Sequence, residues 1–274
     1  VMKVPSKYMD WWDAKIHLLY ACQAAKTFGS DFFADLGDIG MDRWQKGGLP
    51  PWEAHMKPRM EIQYRLYEGL ERPVLFAVGN HDLGHTQKTI TVREWGECFN
   101  LRQKKERVGA TELGPDGDYG ILDLAAKKTR ILLLNTTSTS PMGKGISRAQ
   151  ATWAEKAIAG TPSGWRLVVL SHICLHRNMG RWLPDTLERP DGEGFAEIRA
   201  QLEKFAAARR MPVCALSGDS HFDNELTENG VTYAITQSYG TVPWQMLPPE
   251  SRYQLLDRAH NLFVDMVALK PASG

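Results

Sequence analysis

Short apolar runs that end in small and polar residues recur along this chain. Residues 74–78 follow Pro73 and run into Gly79-Asn80-His81-Asp82. A run from Asp31 ends in Gly37-Asp38, a third ends in Ser171-His172, and a fourth in Ser217-Gly218-Asp219-Ser220-His221. Each run is short and flanked by turn residues, which predicts buried strands. Elsewhere the apolar spacing is helical. Trp12, Ile16, Leu19 and Tyr20 predict a helix over 11–28, with Gly29 as its C-cap. Further helices are predicted over 53–70, with a local break at Pro58, over 147–158 and over 195–208. Ser147 reads as an N-cap, and Gln150 three residues on makes a capping-box pattern. Residues 119–124 and 130–135 predict a hairpin that opens a second sheet. Two more strands are expected over 231–237 and 262–269. Residues 83–117 are the least regular part and read as an insertion that shapes a pocket.

Alternating strands and helices imply an α/β fold with right-handed crossovers. The strand pairs without intervening helices imply a second, mixed sheet. No fixed-period repeat interrupts the chain, so residues 1–274 read as one domain.

The polar residues stand where four predicted strands end. Ligands of open α/β sheets sit at the carboxyl ends of strands. Asp38, Asn80, His81, Asp82, His172, Asp219 and His221 therefore collect at one end. Carboxylates, an amide oxygen and imidazoles suit metal or phosphate chemistry better than packing.

In order and spacing, Gly37-Asp38, Gly79-Asn80-His81-Asp82, His172 and Gly218-Asp219-Ser220-His221 resemble the signature of the calcineurin-like metallophosphoesterases. The resemblance implies two mixed β-sheets packed face to face with flanking helices, a four-layer sandwich. It also implies two divalent or trivalent metal ions (Mn, Fe, Zn or Mg, with Mn or Fe favoured). Asp38 would bridge them, and Asn80 and His172 would bind the second metal. His221 would bind the first. His81 would stay off the metals beside the leaving-group oxygen, with Asp82 orienting it. His85 and His176 follow these motifs and would face substrate. Gln150 and Trp153 resemble a Gln-x-x-Trp that many members carry. The implied activity is metal-dependent phosphoester hydrolysis by a metal-bound hydroxide at a dinuclear site. The substrate would be a small-molecule or nucleotide-like phosphoester; monoester, diester and pyrophosphate stay open.

The chain departs from the pattern twice. An Asp-x-His strand belongs upstream of the first helix, and residues 1–10 do not supply it. The chain thus reads as truncated at its N-terminus, without its first strand. Asp219 also replaces the first His of Gly-His-x-His, and a carboxylate there favours harder ions. The departures motivate an alternative: a catalytically impaired member serving as a binding or scaffold module. Asp35 and Asp42 read as loop carboxylates behind the ligands. Trp95, Trp182, Tyr239 and Trp244 read as packing before stacking platforms. No Gly-x4-Gly-Lys-Ser/Thr loop, Gly-x-Ser-x-Gly elbow or His-Glu-x-x-His motif is present, which disfavours the corresponding chemistries.

Composition changes this picture little. With 43% hydrophobic and 24% charged residues and a formal net charge of +1, no obligate nucleic-acid or membrane partner is implied. Cys22, Cys98, Cys174 and Cys214 form no Cys-x-x-Cys pair and read as buried hydrophobes. No 18-residue apolar stretch exists, so no transmembrane helix is expected. The expected protein is soluble, with the cytoplasm favoured and a lost leader left open by the Val-Met-Lys-Val-Pro start. Oligomeric state is not assigned.

Overall fold

The computed structural model describes residues 11–39, 57–70, 72–83, 90–101, 112–137, 144–179, 192–220 and 224–236. His85, His221, Asp42, Trp182, Tyr239, Trp244 and the strand expected over 262–269 lie outside them.

The first motif is built by α1 (Trp11–Thr27) and β1 (Phe33–Asp35), the second by α2 (Lys57–Glu68) and β2 (Val74–Phe76). Next come α3 (Val92–Cys98), β3 (Glu112–Leu113), β4 (Gly120–Leu124) and β5 (Thr129–Leu134). The chain continues through α4 (Arg148–Ala159), β6 (Arg166–Ser171), α5 (Phe195–Arg209), β7 (Val213–Ser217), β8 (Asn224–Glu228) and β9 (Val231–Ile235). Among the described residues, β1 and β2 form a parallel two-stranded sheet, and the others form a seven-stranded sheet in the order β3-β4-β5-β6-β7-β9-β8. Strands β5, β6, β7 and β9 are parallel, whereas β3, β4 and β8 pair antiparallel.

Side-chain alternation sorts the layers. Leu75 and Ala77 turn toward Ile131, Leu133, Val168 and Leu170, so the two sheets share a core. On the other side of the small sheet, Val74, Phe76 and Val78 pack with Leu18, Met60, Tyr64, Tyr67 and Trp95 of the first three helices. On the far side of the large sheet, Leu132, Leu134, Leu167 and Val169 pack with α4 and α5. The order helices, sheet, sheet, helices is the four-layer sandwich expected.

Three elements depart from the sequence reading, one of them the two-residue β3 inside the irregular region. The irregular region contains α3, whose start is fixed by a true capping box: Thr91 Oγ1 accepts from Glu94 N, and Glu94 accepts from Thr91 N at 2.8 Å. Strand β8 was not expected, because all five of its residues are exposed. Its pairing with β9 makes it a strand, not an apolar face. No helix of the described residues is long and apolar enough to cross a membrane.

Candidate active site

The loops after β1, β2, β6 and β7 meet at one end of the sandwich. Asp38 and Asp219 each follow a glycine, and both adopt left-handed backbone, with φ of 61° and 60°. Asp is among the few non-glycine residues that take this conformation readily. It is a recurrent place for functional strain.

The loops touch backbone to backbone. A Cβ on Gly79 would lie 2.1 Å from Asp38 N and 2.2 Å from Asp38 Oδ1. A Cβ on Gly37 would lie 2.7 Å from both Gly79 N and His172 Nδ1. Asp82, fully buried, stitches this contact: its Oδ2 accepts from Gly79 N at 2.8 Å and Asp38 N at 3.0 Å. Asp38 Oδ1 in turn accepts from His81 N at 3.0 Å. Asp35 supports the first loop from below. Its Oδ1 accepts from Gly37 N at 3.1 Å, and its Oδ2 accepts from the Tyr67 hydroxyl. Asp35 thus stands behind the site, as the sequence suggests.

His172 is the hub. Its carbonyl accepts from Gly218 N at 2.9 Å, which joins the β6 and β7 ends. Its Nδ1 lies 2.6 Å from the Leu36 carbonyl. A carbonyl only accepts, so Nδ1 carries a proton. Nε2 then faces three oxygens: Asn80 Oδ1 at 3.0 Å, Asp38 Oδ1 at 3.4 Å and Asp219 Oδ1 at 3.7 Å. Burial pushes the His172 pKa down, but Asp38, Asp219, the Leu36 carbonyl and Asp82 outweigh it and raise the pKa above its ordinary value. A neutral ring would point a lone pair at three acceptors, so the arrangement calls for a positive charge at Nε2.

That charge is a proton or a metal, and the four groups are of kinds that could hold a cation. Donors held about 2.0–2.2 Å from one cation stand roughly 3.0–3.5 Å apart in tetrahedral or octahedral arrangements. The separations around Nε2 fall in or close to that range. Among the described residues, no three His, Cys, Asp or Glu side chains are grouped to hold a metal by themselves. The set here needs the Asn80 amide as a member alongside Asp38, His172 and Asp219.

Six of the sequence-derived residues therefore converge: Asp38, Asn80, His81, Asp82, His172 and Asp219. His176 does not join them as expected. Its ring is buried, Nδ1 accepts from Asn178 N at 3.2 Å, and Nε2 lies 2.8 Å from Glu228 Oε2 on β8. With both nitrogens engaged, His176 ties a loop to the sheet edge and is not free to hold substrate. Trp95 packs fully buried against Phe99, so it is core. Ser147 caps α4 as expected, with its Oγ accepting from Gln150 N, but no capping box forms. The Gln150 side chain instead brackets Asn135, accepting from its N and donating to its O, both at 2.8 Å. Asn135 and Thr136 end an apolar strand just as the site residues do, but no glycine or histidine motif marks them.

The whole-chain comparison agrees with this architecture. No family model matches the chain. No curated protein sequence matches it either. A solved dimetal phosphatase from Danio rerio superposes with a TM-score of 0.62 over 87% of this chain and 82% of that one, at 13% identity. The fold is metallophosphoesterase-like. Two other solved structures match more loosely. The phosphopantetheinyl hydrolase of Mycobacterium tuberculosis has a TM-score of 0.39 at 13% identity, over 81% of this chain and 83% of that one. The Plasmodium inner-membrane-complex anchor GAP50 has a TM-score of 0.43 at 11% identity, over 82% and 67%. In this metallophosphoesterase-like frame, the four loops described above share one end of the sandwich.

Proposed function

We propose that the chain is a metal-dependent phosphoester hydrolase. One observation carries the reading: His172 Nε2 faces an amide and two carboxylate oxygens delivered by three different loops. Asp38, Asn80, His172 and Asp219 would hold a cation there, and His221 would serve a second. A set of two carboxylates, one amide and one imidazole favours Mn²⁺ or iron over Zn²⁺. Bound cations would neutralise phosphoryl oxygens and activate water.

The chain's own residues do the rest. Asp82 fixes the spacing of the Asp38 and Asn80 loops. Asp38 Oδ1 fixes the His81 backbone. The half-buried His81 ring would then hold a proton for the departing alkoxide. A small phosphorylated substrate fits this reading, and the ester class is left to experiment.

The test is hydrolysis of a chromogenic phosphomonoester and a phosphodiester by metal-stripped protein, with Mn²⁺, Fe²⁺, Mg²⁺ or Zn²⁺ added back. Metal-dependent turnover of either ester, abolished in Asp38→Asn and cut about 10²-fold or more in His81→Ala, is the expected result. Saturable metal binding without turnover of either ester would favour a binding or scaffold module, the reading that Asp219 motivates. No metal binding at all would sink both the hydrolase and its proposed centre.

A further inference from the structure

Behind His172 lies a buried polar network that the proposed chemistry does not use. At the end of β5, Asn135 is fully buried and every polar group described for it is satisfied. Its N and O are bracketed by Gln150. Its Nδ2 donates to Asp118 Oδ2 at 2.8 Å, and its Oδ1 accepts from Thr137 N at 2.9 Å and Thr137 Oγ1 at 2.8 Å. Thr136, held between these residues, is also fully buried. Its Oγ1 accepts from the N–H of Ile173, the residue after His172, at 2.9 Å. On the other side of that residue, Ser171 Oγ donates to Ile173 O at 3.0 Å.

The peptide after His172 is thus gripped from β5. A buried N–H that loses its acceptor must move or bear the cost of desolvation. Fully satisfied buried networks fix position in a way apolar packing does not. The Leu36 carbonyl sets the ring rotation of His172, while the grip on Ile173 from one side and the Gly218 N–H on the His172 carbonyl from the other hold the β6 end toward Asp38 and Asp219.

We infer that Thr136, anchored by Asp118, Asn135 and Gln150, is the positioning residue that sets the reach of His172 Nε2 toward the cation site. The inference rests on the metal-centre reading above. It adds that the site is tuned by a strand that contributes no proposed ligand. Thr136→Val keeps the volume and deletes the acceptor, whereas Thr136→Ser keeps the acceptor.

Two measurements test it. In metal-stripped protein, the imidazole NMR signals of His172 are expected to shift in Thr136→Val and to return to the parent position in Thr136→Ser. In calorimetric titration with Mn²⁺, Thr136→Val is expected to bind about tenfold more weakly or worse, and Thr136→Ser within about twofold of the parent. Leu202→Ala on α5, destabilised far from the site, is the control and is expected to keep the parent affinity. Should Thr136→Val fail to fold, Thr136→Ala deletes the same hydroxyl with less bulk. Parent-like Mn²⁺ binding in Thr136→Val, or equal weakening in Leu202→Ala, would overturn the positioning role. If the parent itself binds no Mn²⁺, the metal reading fails, while the ring signals still decide whether Thr136 places His172.

Discussion

At the scale of single residues, the site depends on side chains that are absent as much as on those present. Gly79→Ala would drive a methyl into Asp38 N and Oδ1. Such overpacking costs about 1–3 kcal/mol. The expected outcome is a lower Tm together with lost metal binding, because the displaced atoms belong to a proposed ligand; a drop in Tm with unchanged Mn²⁺ affinity would contradict this geometry. Asp118 offers a second test. Burial raises its carboxyl pKa, and the hydrogen bond from Asn135 offsets this only in part. A native pKa above the unfolded one stabilises fully below the ordinary carboxylate range, and that contribution is lost as pH rises through the native value. Asp118→Asn, which keeps an acceptor for Asn135, should therefore gain stability relative to the parent on going from about pH 3.5 to about pH 7. Paired denaturation curves read this, and a relative loss would mean that Asp118 is not a buried charge. The motif residues were legible because a glycine and a strand end mark them locally. The roles of Thr136 and Gln150 are not legible locally because they rest on partners far away in sequence, Thr136 on Ile173 and Gln150 on Asn135.

At the scale of elements, periodicity recovered the helices with a strongly apolar face and the strands with a buried one. It missed α3, only seven residues long, which is too short for a period to show. The Thr91-x-x-Glu94 capping box is the local signal that marks it. Removing that cap should cost about 1 kcal/mol, so Thr91→Ala should lower the urea midpoint while leaving the m-value unchanged; no change would mean that α3 is held by Trp95 and Phe99 alone. Strand β8 was missed for the opposite reason: its five exposed residues carry no burial pattern, and only the ladder with β9 identifies it.

At the scale of the whole molecule, the core shared by Leu75, Ala77, Leu133, Val168 and Leu170 joins the two sheets, so they should unfold together. The cysteines report on this. Cys22 packs in the core of the small sheet, and Cys214 lies on β7 of the large one. Burial pushes both thiols up to about 11, and thiols so raised are poor nucleophiles. Both should resist alkylation in the native protein near neutral pH and gain reactivity over the same range of denaturant. Earlier labelling of Cys22 would show that the small sheet opens on its own. The layer order was legible from strand alternation. That β9 lies between β7 and β8 was not, because strand order depends on pairings that no local pattern encodes.

The contact of Gly37 with Gly79 has a consequence for how the two loops move. Two loops that meet main chain to main chain form a fixed caliper, since neither glycine has a side chain to rotate out of the gap. The Asp82 carboxylate closes it by accepting from Gly79 N and Asp38 N, so the backbones that carry Asp38 and Asn80 shift as one piece rather than singly.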